Sequence, residues 1–487
     1  MTKAFTSELV IGLVSAVGTN SKLIEDPLSD FLKAFGYELS TLSLSKYIAD
    51  ILPEGLDQKS EASRIDSYMT NGNEIRKRSG RNDFLALYTV AQINKARDTD
   101  GDLTQPFPKK VHLLRSLKHP DEVSFLRQIY GPGFYLVALY STQEERISHL
   151  TNDKLITEIE ARRLIERDQS EFYSYGQQTR NTFSLADAFI RLNPNQVETS
   201  KKEFKRLLDL IFGNPTLTPT PDEQMMYLAF ASSLRSGSLA RQVGAAIVSQ
   251  EGELVAIGAN DAPRAGGGLH WPGADDRRDL IKGGGQDSNY KNKREIARDT
   301  FIRLGIEDKY YNDCFRRLNG GKLFDITEYG KDVHAEMEAL LSCARIGISP
   351  RGGCLYTTTF PCHNCARHII ASGIKRVVYV EPYPKSKALE LHEDEIAVED
   401  KKEKDHRVLF EPFIGIGPRK FADLFSLGWS SGYPIKRKEG GLVRQWDPRQ
   451  ALPRIPLIAR SYLDWEKLAV EDVEKGLRKA GLVKEEK

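Results

Sequence analysis

From Glu8 to Val17 the chain is almost continuously apolar, Leu9-Val10-Ile11-Gly12-Leu13-Val14 at its centre. Such a run without polar alternation predicts a strand covered on both faces of a parallel sheet. Leu28, Phe31, Leu32 and Phe35 then recur at helical spacing and stop at Gly36, and Tyr37–Leu44 predicts a second strand. Lys110–Leu114 and Gly133–Tyr140 predict further strands, and the charge-rich stretch 143–170 predicts helix. The opening order strand, helix, strand predicts an α/β domain. It is expected to cover residues 1–215, ending where Asn193-Pro194-Asn195 and Thr216–Pro221 form a polar, proline-bearing linker.

A second domain is expected over 216–430, followed by an extension over 431–487 to which the pattern assigns no elements. It opens with a helix near 222–236. Gln242–Ser249 and Glu253–Asn260 predict two strands joined by a turn at Gln250-Glu251-Gly252. A long insertion, 261–331, begins with Gly266-Gly267-Gly268 and contains Gly283-Gly284-Gly285. Beyond it, helix is expected at His334–Arg345, strand at Leu355–Phe360, helix at Cys362–Ala371 closed by Gly373, and strand at Lys375–Glu381.

Composition narrows the class. The 487 residues carry 70 Lys and Arg against 68 Asp and Glu, a net charge of +2, so the global basic field usual for nucleic-acid binding is missing. The five cysteines show no disulfide spacing, which suits a reducing, cytoplasmic setting. Lys3 ahead of Leu9–Val17 faintly imitates a signal peptide, but Glu8 interrupts it and no small-x-small cleavage site follows. No apolar run is long enough to span a bilayer as a helix, and no membrane partner is expected.

The chemistry lies in His334-Ala335-Glu336 and Pro361-Cys362-His363-Asn364-Cys365. One imidazole and two thiolates, His334, Cys362 and Cys365, make three ligands for one Zn²⁺ and leave its fourth position open, as in catalytic sites. Both cysteines fall at a helix N-terminus, where the dipole favours thiolate. Water activated at such a site would attack an sp² carbon bearing an exocyclic amine, with Glu336 moving the protons. A structural zinc ribbon would want a fourth close ligand, and a C-x-x-C redox pair would not need His334 or Glu336. The pattern H-x-E then P-C-x-x-C is a recognised signature of zinc nucleobase deaminases.

With Arg241–Val248 and Gly258–Pro263 added, residues 222–425 without the insertion resemble the deoxycytidylate deaminase family. The resemblance implies that Asn260 contacts the nucleoside; a turn residue is the alternative reading. Arg241 is either a phosphate ligand or a surface charge at a strand end. Tyr383-Pro384-Lys385-Ser386, Leu391–Ile396 and Phe413–Pro418 extend the likeness to bacterial anti-phage dCTP deaminases, in which a P-loop kinase-like domain precedes the deaminase. That implies an N-terminal P-loop NTPase-like parallel sheet and a cytidine-deaminase-like α/β/α domain. It also implies deamination of dCTP and dCMP to uracil nucleotides, a homo-oligomer and, in some systems, an inhibitory small RNA.

Arg264, Arg277, Arg278 and Lys282 in the insertion either close over a triphosphate or form a solvated loop balanced by Asp275, Asp276 and Asp279. Tyr383 and Lys385 are further substrate candidates. In the first domain, Gly12, Gly18 and Thr19 resemble a degenerate P-loop. The glycine spacing is one residue too long and no lysine follows Gly18, so phosphoryl transfer is not expected. Gly72–Arg76 and Ala186–Ile190 also look kinase-like. The rival functions are a housekeeping dCMP deaminase with an active kinase, a nucleic-acid editor, and a nucleotide sensor. Intact Glu336 argues against the sensor, since binding alone needs no proton shuttle.

Overall fold

The computed structural model describes residues 8–99, 103–169, 171, 175–281, 285–318, 321–326, 329–398 and 406–482. Lys282, Gly283 and Gly284 of the insertion lie outside them. The chain divides into two compact units: residues 1–223 together with 414–487, and residues 224–413. Residues 431–487, set apart in the sequence reading, thus group with the first unit, and the division falls at 413/414 instead of 430.

The first unit is built on β1 (Leu9–Ser15), β2 (Glu38–Ser43), β3 (Lys110–Arg115), β4 (Phe134–Tyr140) and β5 (Ala188–Arg191). They lie in the order β5-β4-β1-β3-β2, all parallel, and the two-residue strand Gly415–Ile416 pairs antiparallel with β5. β1 is central and its first six residues are buried, as its unbroken apolar run requires. Gly12 lies inside this strand, not in a phosphate loop. A Cβ there would come within 2.6 Å of Leu117 and 2.9 Å of Phe134, so its small size serves packing.

The expected helix over 143–170 is two helices, Gln143–Ser148 and Glu158–Gln169. A single wide turn at His149–Asp153 and Leu155, with φ of 54°, separate them. Two long helices, Glu61–Ser79 and Phe84–Thr99, occupy a stretch to which the sequence pattern assigned nothing. Helix Ala459–Lys479 packs on Phe84–Thr99.

A buried charged cluster fastens this last helix. Arg97, 1% exposed, ion-pairs with Glu8 and with Glu466 at 2.8 Å each. His112 meets Glu8 at 2.9 Å, the Tyr130 hydroxyl donates to Glu466 at 3.0 Å, and the Tyr462 hydroxyl donates to Glu8. Removing one member strands buried charge, which typically costs about 3–5 kcal/mol. Arg97→Ala is therefore expected to lower the unfolding free energy of the first unit by about that much, read from urea midpoints. A loss under about 1 kcal/mol would mean that water reaches the cluster.

The second unit holds β6 (Gly244–Val248), β7 (Leu254–Ala259), β8 (Cys354–Thr359), β9 (Arg376–Glu381), β10 (Ile396–Val398) and β11 (Val408–Pro412). Their order is β10-β11-β9-β8-β6-β7. β6 runs antiparallel to β7 and β8, while β8, β9, β11 and β10 run parallel. The predicted β6–β7 hairpin is present, its turn closed by Gly252 at φ 85°. The insertion is no simple loop: it folds helices Ser288–Arg303 and Tyr311–Leu318 around Ala297, Phe301 and Tyr311.

Candidate active site and metal centre

Two helix starts build the centre. His334 caps helix Ala335–Ile346, and Glu336 lies in its first turn. Backbone hydrogen bonds Asp261 N–H to Val333 O (3.2 Å) and Val333 N–H to Asp261 O (2.9 Å) fix the segment entering that helix. Gly258 lets β7 lie against it, because a Cβ there would stand 2.2 Å from the Ala335 carbonyl oxygen. On the other side, β8 leads through Phe360-Pro361 into helix His363–Ser372. Cys362 is its N-cap, the sulfur accepting the Cys365 N–H at 3.4 Å. This β8–helix–β9 unit delivers both sulfurs from one helix N-terminus, as the spacing predicted.

The His334 Nδ1 lies 3.3 Å from the sulfurs of both Cys362 and Cys365, and the three donor atoms all fall within 4.8 Å of one another. The Cys365 thiol donates to Glu336 Oε2 at 3.5 Å. Hydrogen bonds within the trio set its proton distribution. Cys362, bonded to Cys365 and facing the imidazolium, is held down to about 4. Its thiolate in turn raises His334 to about 9 and Cys365 well above an ordinary thiol. Burial, reinforced by the Cys362 negative charge, lifts Glu336 to about 7. Two sulfurs and one nitrogen converging on one point fit Zn²⁺, and three protein ligands leave room for a further one.

His334, Glu336 and Cys362 line a cavity of about 180 Å³, whose wall also includes Asn260 and Tyr383. Asn260 is largely committed to the backbone: Oδ1 accepts Val243 N–H and Nδ2 donates to the Arg241 carbonyl, both at 2.7 Å. It thereby fastens the segment carrying Arg241, which also lines the cavity and lies over the Tyr383 ring at 5.6 Å.

Arg264 and Lys385 are not on this wall. Arg277 bonds Asp275, and Arg278 bonds Asp276, within the insertion itself. Of the two readings of the insertion, a clamp or a loop balanced by its aspartates, Arg277 and Arg278 fit the second. The insertion contributes Asp279, Asp287, Ser288, Asn289 and Lys331 instead, and Asp332 joins them. Lys331 and Asp332 stand just before His334, a nearness the sequence offered and the motif reading passed over. The contribution of Asp287–Asn289 depends on a helix start that the glycine-rich pattern hid.

Fold and donor set define a zinc-binding hydrolytic centre. Residues 219–381 match the family model of the cytidine and deoxycytidylate deaminase zinc-binding region. This part of the chain thus matches a zinc-binding deaminase region, and the relatives it resembles include deoxycytidylate deaminases. The deoxycytidylate deaminase of Enterobacteria phage T2 is 28% identical over 34% of this chain and 81% of its own length. A probable deoxycytidylate deaminase of Drosophila melanogaster is 30% identical over 33% of this chain, but the match spans only 58% of that protein. The solved dCMP deaminase of cyanophage S-TIM5, in complex with dCMP and dUMP, is 19% identical. It covers 41% of this chain and 100% of its own, with a TM-score of 0.25, too low to bear on the fold.

Proposed function

We propose that the protein hydrolytically deaminates deoxycytidine nucleotides, dCMP and dCTP, to their deoxyuridine counterparts. The observation that carries this reading is the His334, Cys362 and Cys365 donor set, with His334, Cys362 and Glu336 on one cavity wall. Zinc held by His334, Cys362 and Cys365 would supply a water nucleophile active near neutral pH. Glu336 supplies the proton traffic: its buried carboxyl, 3.5 Å from the Cys365 sulfur, is placed to accept the water proton and return it. It then passes that proton to the ring nitrogen, takes up the remaining proton of the added hydroxyl and hands it to the departing amine, which leaves as ammonia while the water oxygen becomes the carbonyl. Asn260 keeps one N–H and one lone pair for the base edge, and the Tyr383 ring flanks the same space.

Arg241 and Lys331 are cationic side chains on that wall, Arg241 3.5 Å from Glu381 and Lys331 3.6 Å from Asp279, and Asp287 and Asp332 line it as well. That balance favours a short anionic tail, so dCMP is expected to turn over at least as well as dCTP. The dCTP reading and the consequent draining of a phage's precursor pool rest on the sequence resemblance. So do the oligomer, the inhibitory RNA and a degenerate P-loop in the first unit. The test is chromatography of products after zinc-loaded protein meets dCMP, dCTP, CTP and single-stranded DNA. Turnover of the deoxycytidine nucleotides alone is expected. Activity confined to DNA would overturn the proposal and favour an editor.

A further inference from the structure

Asp261, just beyond β7, is 0% exposed, yet it lies outside the wall of the deaminase cavity. Its main chain pairs in both directions with Val333, one residue ahead of His334. Its side chain reaches further. Oδ1 accepts the Ala262 N–H at 2.9 Å, which closes its own turn. Oδ2 accepts the Gly237 N–H at 3.1 Å and lies 3.7 Å from the Arg278 guanidinium. An aspartate serving only its own turn needs one oxygen. The second is committed to two segments distant in the chain.

These partners are packed closely. Gly237 stands against the guanidinium, where a Cβ would fall 2.7 Å from Nη1, so a side chain at this position would displace Arg278 from the carboxylate. Arg278 also holds Asp276 through Nε and Nη2, at 2.9 and 2.6 Å. Its planar fork thus joins the insertion's own turn to Asp261, a geometry a guanidinium allows and an ammonium does not.

Each segment so joined carries part of the cavity wall. Gly237 leads into Ser238–Arg241. Arg278 leads into Asp279, which accepts the N–H and the hydroxyl of Ser288 at 3.1 and 2.6 Å and so ties in the start of helix Ser288–Arg303. Val333 follows Lys331 and Asp332. The zinc ligands are placed by other means. His334 is reached through main-chain pairing, which a change of side chain at 261 preserves, and both cysteines stand at the start of helix His363–Ser372.

We infer, on the deaminase reading of the cavity, that Asp261 is a positioning residue for the reaction. Its buried carboxylate, with Arg278 as counter-ion, holds the nucleotide-facing walls at the spacing substrate needs and leaves the metal centre to its own helix starts. Without it the walls take other arrangements, and substrate must first restore the competent one, so the loss falls on apparent affinity. The test is steady-state turnover of dCMP by the full-length, zinc-loaded chain and by Asp261→Asn, Arg278→Met and the double variant, with zinc measured on each sample. Asparagine fills the same space but offers one acceptor oxygen where the carboxylate offers two. Each single variant is expected to raise KM about tenfold or more, the worth of a hydrogen bond to a charged group, with kcat within about threefold of wild type and zinc retained. The double variant should raise KM no further than the worse single one, because both remove the same contact. Unchanged KM in the single variants would overturn the inference. So would effects that multiply in the double variant, and so would loss of kcat or zinc at unchanged KM, which marks a role in folding alone. If Asp261→Asn yields no folded protein, the same rise in KM is required of Arg278→Met by itself. Wild-type silence on deoxycytidine nucleotides would sink the deaminase reading and this inference with it; a working wild type whose variants keep its KM would sink this inference alone.

Discussion

Glu336→Gln is expected to leave a folded, zinc-loaded protein whose turnover falls by about 100- to 10,000-fold, the usual worth of a positioned general acid–base. The substitution keeps size and hydrogen-bonding shape but removes the titration. Glu336 is 4% exposed and 3.5 Å from the Cys365 sulfur, so its carboxyl is placed beside the metal centre to cycle between its two protonation states. An amide holds neither. The measurement is kcat at saturating nucleotide with metal content determined on the same sample. Undiminished kcat at full zinc occupancy would remove Glu336 from the chemistry.

Cys362→Ala is expected to abolish both metal and activity, because the two remaining donors cannot enclose the ion. Metal analysis after dialysis checks it, and one zinc per chain in the variant would show the ligand set to be wrong. The wild-type centre should also release protons as it loads. At pH 7 without metal, Cys362 is already a thiolate, while His334 (about 9) and Cys365 (well raised) both hold protons that zinc must displace. Roughly two protons per zinc are therefore expected, read by calorimetry in buffers of different ionisation enthalpy. The sign follows: acidification favours the protonated donors and weakens zinc binding. Uptake independent of buffer would contradict this proton distribution.

The centre was legible because its chemistry is local. His334 with Glu336, and Cys362 with Cys365, are fixed by spacing along two helix starts, and spacing survives in a sequence. The strands around it were legible for a similar reason, since β1 and the β6–β7 hairpin are each marked by a short-range pattern. What distant contacts decide was hidden. Helix Glu61–Ser79 turns Asn71, Gly72, Arg76 and Ser79 inward, so no apolar stripe announces it. The insertion's arginines read equally as a clamp or as a loop balanced by aspartates, and the pairing of Arg277 with Asp275 and of Arg278 with Asp276 was needed to choose. Gly12 read both as a strand residue and as part of a degenerate P-loop, and only the approach of Leu117 and Phe134 gives its small size a packing reason.

The first unit's discontinuity bears on how the protein is made. Residues 224–413 sit wholly inside it in the chain, and the Glu223 carboxylate accepts the Ile416 N–H at 2.8 Å across that interruption. On a ribosome the N-terminal unit is begun first yet finished last. Until helix Ala459–Lys479 emerges with Glu466, Arg97 lacks half of its counter-charge and the face of Phe84–Thr99 stays uncovered. A stop codon within helix Ala459–Lys479 would thus spare every residue of the zinc centre and still leave the first unit unfinished.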